Sequence, residues 1–284
     1  MKLAFSTLAF PGRKLVDVAA AGSAMGYAGI ELRLVDGELI DPQMDASARQ
    51  RVRDAVARAG LPVVAVDSSI RLTDDNPGGE IERFLELANA WESPVLRVFG
   101  GALDESPGRR AEQIRAAAAV LETAVPAAER LGVAIGVETH DSFSASATVA
   151  ELLALVPSPS VGAVWDSHHP HRMGETPRQI ASNFGDRILL AQVKDARRSA
   201  EQDSGWQLVL LGEGEVDVRS MLAELLARHY GGWVSVEWEK RWHPEIEEPE
   251  IALPQHIATL QRYLDEINPG EDAPGAGTTT SEER

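Results

Sequence analysis

Asp166 and His169, an acid and an imidazole three residues apart, directly follow an apolar run in VGAVWDSHHPHR, residues 161–172. Small and β-branched residues there suit a strand buried on both faces, which puts Asp166 at the strand tip and His169 in the loop that leaves it. Many α/β enzymes present a metal ligand beside a substrate-contacting group in this way. The alternative is a polar loop with a solvated aspartate, since polar residues normally follow strands. Three other apolar runs end comparably: GVE at Glu138, before Thr139, His140 and Asp141; AQV with Gln192, ahead of Lys194 and Asp195; and VSVE at Glu237, with Glu239 beyond it. Brought to one point, Glu138, Asp166 and Glu237 would repel one another and take up protons unless a divalent cation neutralised them. Gln192 would stand on the strand between as a fourth oxygen-bearing group. Salt-bridged or solvated loop acids are the competing reading.

Positioning these groups requires four consecutive strands whose ends meet, and the chain supplies a pattern for it. Short apolar runs at 3–6, 29–34, 63–67, 95–99, 133–138, 161–166, 188–193 and 233–237 alternate with helical patterns at 15–25, 47–59, 80–90, 109–131, 148–155, 176–184, 218–229 and 253–267. Ala, Leu, Arg and Glu dominate the helical runs, with apolar positions recurring at three and four residues as helices packed on a sheet require. Repeated βα units imply a parallel sheet, and eight of them predict a closed (β/α)8 TIM barrel, a single α/β domain over residues 1–267. Right-handed crossovers then bring every strand's C-terminal end to one mouth. The loop at 196–215 is the longest at that mouth and a candidate lid. From residue 268 to 284 apolar periodicity disappears, and a disordered acidic tail is expected.

Composition narrows the function further. Without cysteine there can be no thiolate ligand, cysteine nucleophile or disulfide. A formal charge of -17 repels phosphate backbones, so nucleic acid is not an expected partner, although a few pocket arginines could still hold a small anion. The first residues lack a signal-peptide pattern and no apolar run reaches membrane-spanning length, so no membrane association and a cytoplasmic location are expected. A homo-oligomer remains open.

GVETH around Glu138, WDSHH with Asp166 and His169, VKDA at 193–196, LGEGEVD at 211–217 and VEWE at 236–239 together resemble the xylose isomerase-like sugar isomerase and epimerase superfamily. The resemblance spans residues 1 to about 265. It implies one divalent metal ion held by Glu138, Asp166, Glu237 and the strand-seven group, with His169 reaching substrate and the two glutamates moving protons on either side of the reacting carbon. Most members carry histidine where this chain has Gln192. An amide oxygen is a neutral, hard ligand, so the preference shifts from zinc toward Mn2+ or Mg2+, with Co2+ or Zn2+ still able to bind. The 3-dehydroshikimate dehydratase branch is similar in having glutamine there and an arginine after strand three, a place Arg71 fits. Endonuclease IV shares the barrel but needs histidines after strands three and four, where this chain has Asp67-Ser68 and Phe99-Gly100.

The expected activity is therefore metal-dependent isomerisation or epimerisation of a small polyhydroxylated substrate (a sugar, sugar phosphate or cyclitol) through an enediolate. A dehydratase of the 3-dehydroshikimate type and a non-catalytic sugar-binding barrel are the alternatives. Glu138, Glu237 and His169 are the candidate catalytic groups. Arg33, Arg71, His140, Lys194 and Arg197 are candidate substrate contacts, with Arg198 an alternative to Arg197; each arginine could equally be solvated. Lys194, two residues past Gln192, should point the same way, into the barrel. Arg97 is expected to pair with acids inside the barrel, His168 and His171 to be solvated, and Trp206 and Trp242 to cover a sugar-like ring or pack at a loop base.

Overall fold

The computed structural model describes residues 1–268, so all but the first residue of the expected tail lies outside the described residues. Eight parallel strands close a barrel: β1 (Lys2–Ser6), β2 (Gly29–Leu32), β3 (Val63–Arg71), β4 (Val95–Phe99), β5 (Ala134–Glu138), β6 (Val161–Asp166), β7 (Ile188–Val193) and β8 (Trp233–Val236). Each pairs with its sequence neighbours, and β8 returns to pair with β1. Helices α1 (Leu15–Ala24), α2 (Ala46–Ala59), α3 (Gly78–Ala90), α4 (Pro107–Leu131), α5 (Ser146–Leu155), α6 (His168–Arg172), α7 (Pro177–Phe184), α8 (Val218–Ala227) and α9 (Pro249–Ile267) connect or follow the strands.

Local chemistry sets several of these boundaries. Asp45 caps α2 by accepting from the Ala48 N–H at 2.7 Å, Asp217 caps α8 through the Ser220 N–H at 3.0 Å, and Thr176 with Gln179 forms a capping box on α7. Gly60 and Gly132 end α2 and α4 in the left-handed conformation. The outer faces of the strands pack on helix residues such as Ile81, Leu85, Leu121, Leu152, Leu222 and Leu260 in one continuous core. A smaller cluster, Ala4, Val64, Ala65, Val95, Val164 and Leu190, is made of strand residues alone.

That second cluster explains where the polar groups sit. Because side chains alternate across a strand, the residue two further on shares the face. Two residues past Ala65, Val95, Val164 and Leu190 come Asp67, Arg97, Asp166 and Gln192, all buried. The barrel therefore carries an apolar layer of small side chains and, next to it toward the C-terminal strand ends, a polar layer. Gly136 completes the apolar layer in β5, since a Cβ there would come within 2.6 Å of a Val164 methyl.

Three elements differ from the sequence expectation, the first being the segment after β6, where His169 lies on the short helix α6 and not in a loop. Strand β3 runs on to Arg71, four residues past the expected end, and the 196–215 loop is ordered as a hairpin pairing Asp195–Arg198 with Trp206–Val209. A second small hairpin, Leu34–Val35 with Glu38–Leu39, follows β2. No helix among the described residues is long and apolar enough to cross a membrane.

Candidate metal centre

The ends of β5, β6 and β7 are stitched together beyond their ladders. The Thr139 hydroxyl accepts from the Asp166 N–H at 3.0 Å, and the Ser167 hydroxyl donates to the Lys194 carbonyl at 2.8 Å while accepting from the Lys194 N–H at 3.0 Å. Asp166 and Gln192 are register partners on adjacent strands, so their side chains leave the sheet together. Glu237 lies one residue past β8 and is still tied to β7 by its N–H on the Val193 carbonyl, 3.0 Å. The result is that one carboxylate oxygen each from Glu138, Asp166 and Glu237 lies within 4.8 Å of the others, with all three residues buried.

Asp166 uses its two oxygens differently. Oδ1 accepts from the N–H groups of His168 and His169, at 2.8 and 3.0 Å, capping the short helix α6 that carries His169. Oδ2 is left facing the cluster, 3.0 Å from the Lys194 ammonium. Lys194 also meets Glu237 at 2.6 Å and pairs with Glu239. Burial opposes the charge on both partners, yet the pairing wins: Asp166 is held well below the usual carboxylate range, and the carboxylates of Asp166, Glu237 and Glu239 hold Lys194 well above the usual lysine range.

The remaining acids are less well matched. Arg97, fully buried, reaches Glu138 at 3.0 Å and Asp67 at 3.5 Å. Glu31 on β2 is completely buried, and the charges that act on it most are those of Asp67 and Glu237, both of its own sign. Burial pushes the carboxyls of Glu31, Glu138 and Glu237 up, and for Glu31 and Glu237 by a wide margin. Five buried carboxylates, Glu31, Asp67, Glu138, Asp166 and Glu237, face only three buried cations, Arg33, Arg97 and Lys194. Glu138 Oε2 and Asp166 Oδ2 meet only their ion-pair contacts with Arg97 and Lys194, and Gln192 Oε1 is buried with no partner at all. A divalent cation fits that excess of carboxylates over cations and the unpartnered amide oxygen.

His169 is buried, and its ring lies 4.5 Å from that of His140 and 5.7 Å from that of His168. Glu138, His140 and His169 each place a ligand atom within 4.8 Å of the other two. Burial lowers the His169 pKa well below its ordinary value and that of His168 to about 4, so both rings are neutral near pH 7. His168, expected in solvent, is instead buried: the ring of Trp206, on the hairpin, lies edge-on to it at 5.3 Å. His171 is half-buried against the same indole.

The predicted arginines separate. Arg33 is buried and donates to the Asp67 carbonyl at 3.2 Å and the Ser69 hydroxyl at 2.9 Å, near the polar layer. Arg71 sits on the rim, 3.4 Å from Asp141, which in turn lies 2.9 Å from His140 Nδ1. Arg197 is exposed and bonded to Gln207 on its own hairpin, while Arg198 stacks over Trp206. Trp242 is exposed beside Arg241. Sequence reasoning passed over Glu31. The available signal was its place in GIEL, an acid inside an otherwise apolar four-residue strand.

The sequence profile described as Xylose isomerase-like TIM barrel matches residues 19–263. No curated protein matches the sequence. Among solved structures, the chain is similar to the IolI protein with a bound zinc atom (TM-score 0.77, 19% identity, 94% of this chain and 99% of that one). It is also similar to a probable 3-dehydroshikimate dehydratase, AsbF, from Bacillus anthracis (0.72, 20%, 92% and 99%) and to an L-ribulose 3-epimerase (0.76, 15%, 96% and 99%). At these identities the structural likeness establishes the fold.

Proposed function

The chain belongs to the xylose isomerase-like TIM barrel family, and on that premise we propose that it is a divalent-metal-dependent isomerase or epimerase of a small polyhydroxylated substrate. The observation that carries this reading is the buried triad of Glu138, Asp166 and Glu237 with His169 alongside. Glu138, Asp166, Glu237 and Gln192 would hold the ion, and their all-oxygen donor set favours Mn2+ or Mg2+ over Zn2+. When bound, such an ion polarises a substrate oxygen and offsets negative charge that develops on it.

The protein's own groups do the rest. Glu138 and Glu237 reach the reacting carbon from two strands separated by β6 and β7, so one takes its proton and the other returns a proton on the opposite face. His169, neutral and held by the Asp166 cap, hydrogen-bonds or deprotonates a substrate hydroxyl. His140, Lys194 and Arg33 line the approach and meet the substrate's other oxygens. The indole of Trp206 covers the rings of His168 and His171 beside the site.

Gln192 favours a second reading, a dehydratase: the same proton removal, followed by departure of the β-hydroxyl as water once His169 or a glutamic acid has protonated it. One experiment separates the two. Metal-stripped protein reloaded with Mn2+, Mg2+ or Zn2+ is offered ketoses and inososes, with products read by sugar chromatography, and 3-dehydroshikimate, read by aromatic absorbance. About one ion per chain is expected, and it should be lost on replacing Glu138, Asp166 or Glu237 by Ala. Stoichiometric binding that survived all three replacements would move the site elsewhere.

A further inference from the structure

Glu31 is an expensive residue for this fold. It lies across the barrel from the metal triad, wholly buried, and does not join the triad's cluster of ligand atoms. The charges acting on it most, those of Asp67 and Glu237, repel it. A buried carboxylate so placed destabilises the folded chain unless its hydrogen bonds compensate. Its short bond is to one group: Gln192 Nε2 donates to Glu31 Oε1 at 2.6 Å.

The chemistry of that bond has a direction. Here a carboxyl oxygen of Glu31 is the acceptor, so it takes the NH2 end of the Gln192 amide and not the C=O end. The amide is planar, and fixing its nitrogen on Glu31 fixes Oε1 on the opposite side. That oxygen is buried with no partner of its own. Asp166, the register partner of Gln192, stands on the neighbouring strand. With the amide turned over, two N–H donors would face the site and oppose any cation there. The two orientations have nearly the same shape, so packing cannot choose between them and an acceptor fixed on one side can.

We infer that Glu31 is a positioning residue that orients the Gln192 amide, turning an ambivalent side chain into an oxygen donor for a hard divalent cation. The inference rests on the metal-site reading above. It assigns β2, which carries none of the four ligands, a part in metal selection. The same acceptor could hold the N–H of an imidazole at position 192 and leave its other nitrogen for a cation. Glu31 therefore makes the barrel tolerant of either residue type at 192, and the residue type sets the metal preference.

The test is a double-mutant cycle between Glu31→Gln and Gln192→Ala, read as Mn2+ affinity by electron paramagnetic resonance titration of free Mn2+ and as the melting temperature of metal-free protein. In the Glu31→Gln chain a neutral amide can donate as well as accept, so the Gln192 orientation is no longer dictated. Mn2+ affinity should fall on the order of 10- to 100-fold, the usual effect of losing an outer partner of a ligand. The melting temperature of the metal-free protein should stay level or rise, because a buried acid set against Asp67 and Glu237 has gone. In the Gln192→Ala background the same change should cost little further affinity. If Glu31→Gln folds poorly by circular dichroism, Glu31→Leu, which neither donates nor accepts, takes its place in the cycle. Unchanged Mn2+ affinity would overturn the inference and leave the metal site standing. So would an equal loss in both backgrounds, which would make Glu31 a distant charge acting directly on the ion. Absence of Mn2+, Mg2+ and Zn2+ binding in the unaltered protein would instead remove the metal-site reading itself.

Discussion

At the level of single residues, the spacing of Asp166 and His169 follows from one carboxylate doing two things. Oδ1 is committed to the first N–H groups of α6, which fixes where His169 stands, and Oδ2 remains for the cluster. His169 thus reaches the site through a local device, and replacing its side chain leaves the cap intact because the cap binds backbone. His169→Ala should keep metal content and the far-ultraviolet spectrum while lowering turnover on the order of 100-fold. Metal content and turnover measured on one sample decide the matter. Unaltered turnover would deny it an acid-base role, and joint loss of metal and turnover would make it a ligand with Glu138 and His140. The Asp-x-x-His pair could be read from sequence because its geometry is contained within four residues. Glu31 stood out only as an acid in an apolar strand, and its role could not be read, because its partner Gln192 is distant along the chain and only barrel closure brings them together. His168 was misplaced for a related reason: Trp206, which covers it, lies on a hairpin distant along the chain, and only the fold brings the two together.

Among elements, the segment after β7 departs most from its sequence reading. It reads as a long loop able to open, yet its base is fixed by Asp195. That carboxylate accepts from the N–H groups of Ala196 and Gly212, both at 2.8 Å, Gly214 at 3.0 Å and Val216 at 3.1 Å. Any lid motion is therefore confined to the hairpin tip, at about 199–205. Gly214 is needed at the clamp, since a Cβ there would run into the Asp195 carboxylate and lie 2.6 Å from the Ala196 carbonyl oxygen. Gly214→Ala should lower stability by about 1–3 kcal/mol. It should also speed amide exchange at 212–216, as followed by hydrogen-exchange mass spectrometry. Unaltered exchange there would mean that Asp195 does not hold the segment. The eight strands themselves were legible from apolar runs and the spacing of βα units, because buried parallel strands leave a continuous signal. In the hairpin only the second strand carries an apolar run, at 206–211, while its polar first strand, Asp195–Arg198, is held by a side chain gripping backbone.

For the whole molecule, one buried histidine far along the chain links folding to pH. His256 on α9 is completely buried; its Nδ1 bonds to the Ala252 carbonyl at 2.6 Å, and its ring packs edge-on to Trp238 at 5.0 Å. Burial lowers its pKa to about 4, from an ordinary value near 6.5. Between those values the unfolded chain takes up a proton at His256 that the folded chain refuses, so the His256 contribution is lost as pH drops from about 6.5 toward 4 and is level above. The loss at the acid end of that window is roughly 3 kcal/mol. Denaturant melts of His256→Gln beside the unaltered protein should show a shallower acid limb in the variant. Parallel curves would show that His256 gains its proton equally in both states.

The closure of β8 between β7 and β1 also orders events in time. A ribosome delivers Glu138 first, then Asp166, Gln192 and finally Glu237, which comes directly after the strand that seals the ring. Until that strand emerges, the nascent chain exposes two unpaired sheet edges, on β1 and β7, and has only part of its carboxylate set. The carboxylate triad and the ring are thus completed by the same short stretch. A chain interrupted before Trp233 would be left with an open sheet and without Glu237.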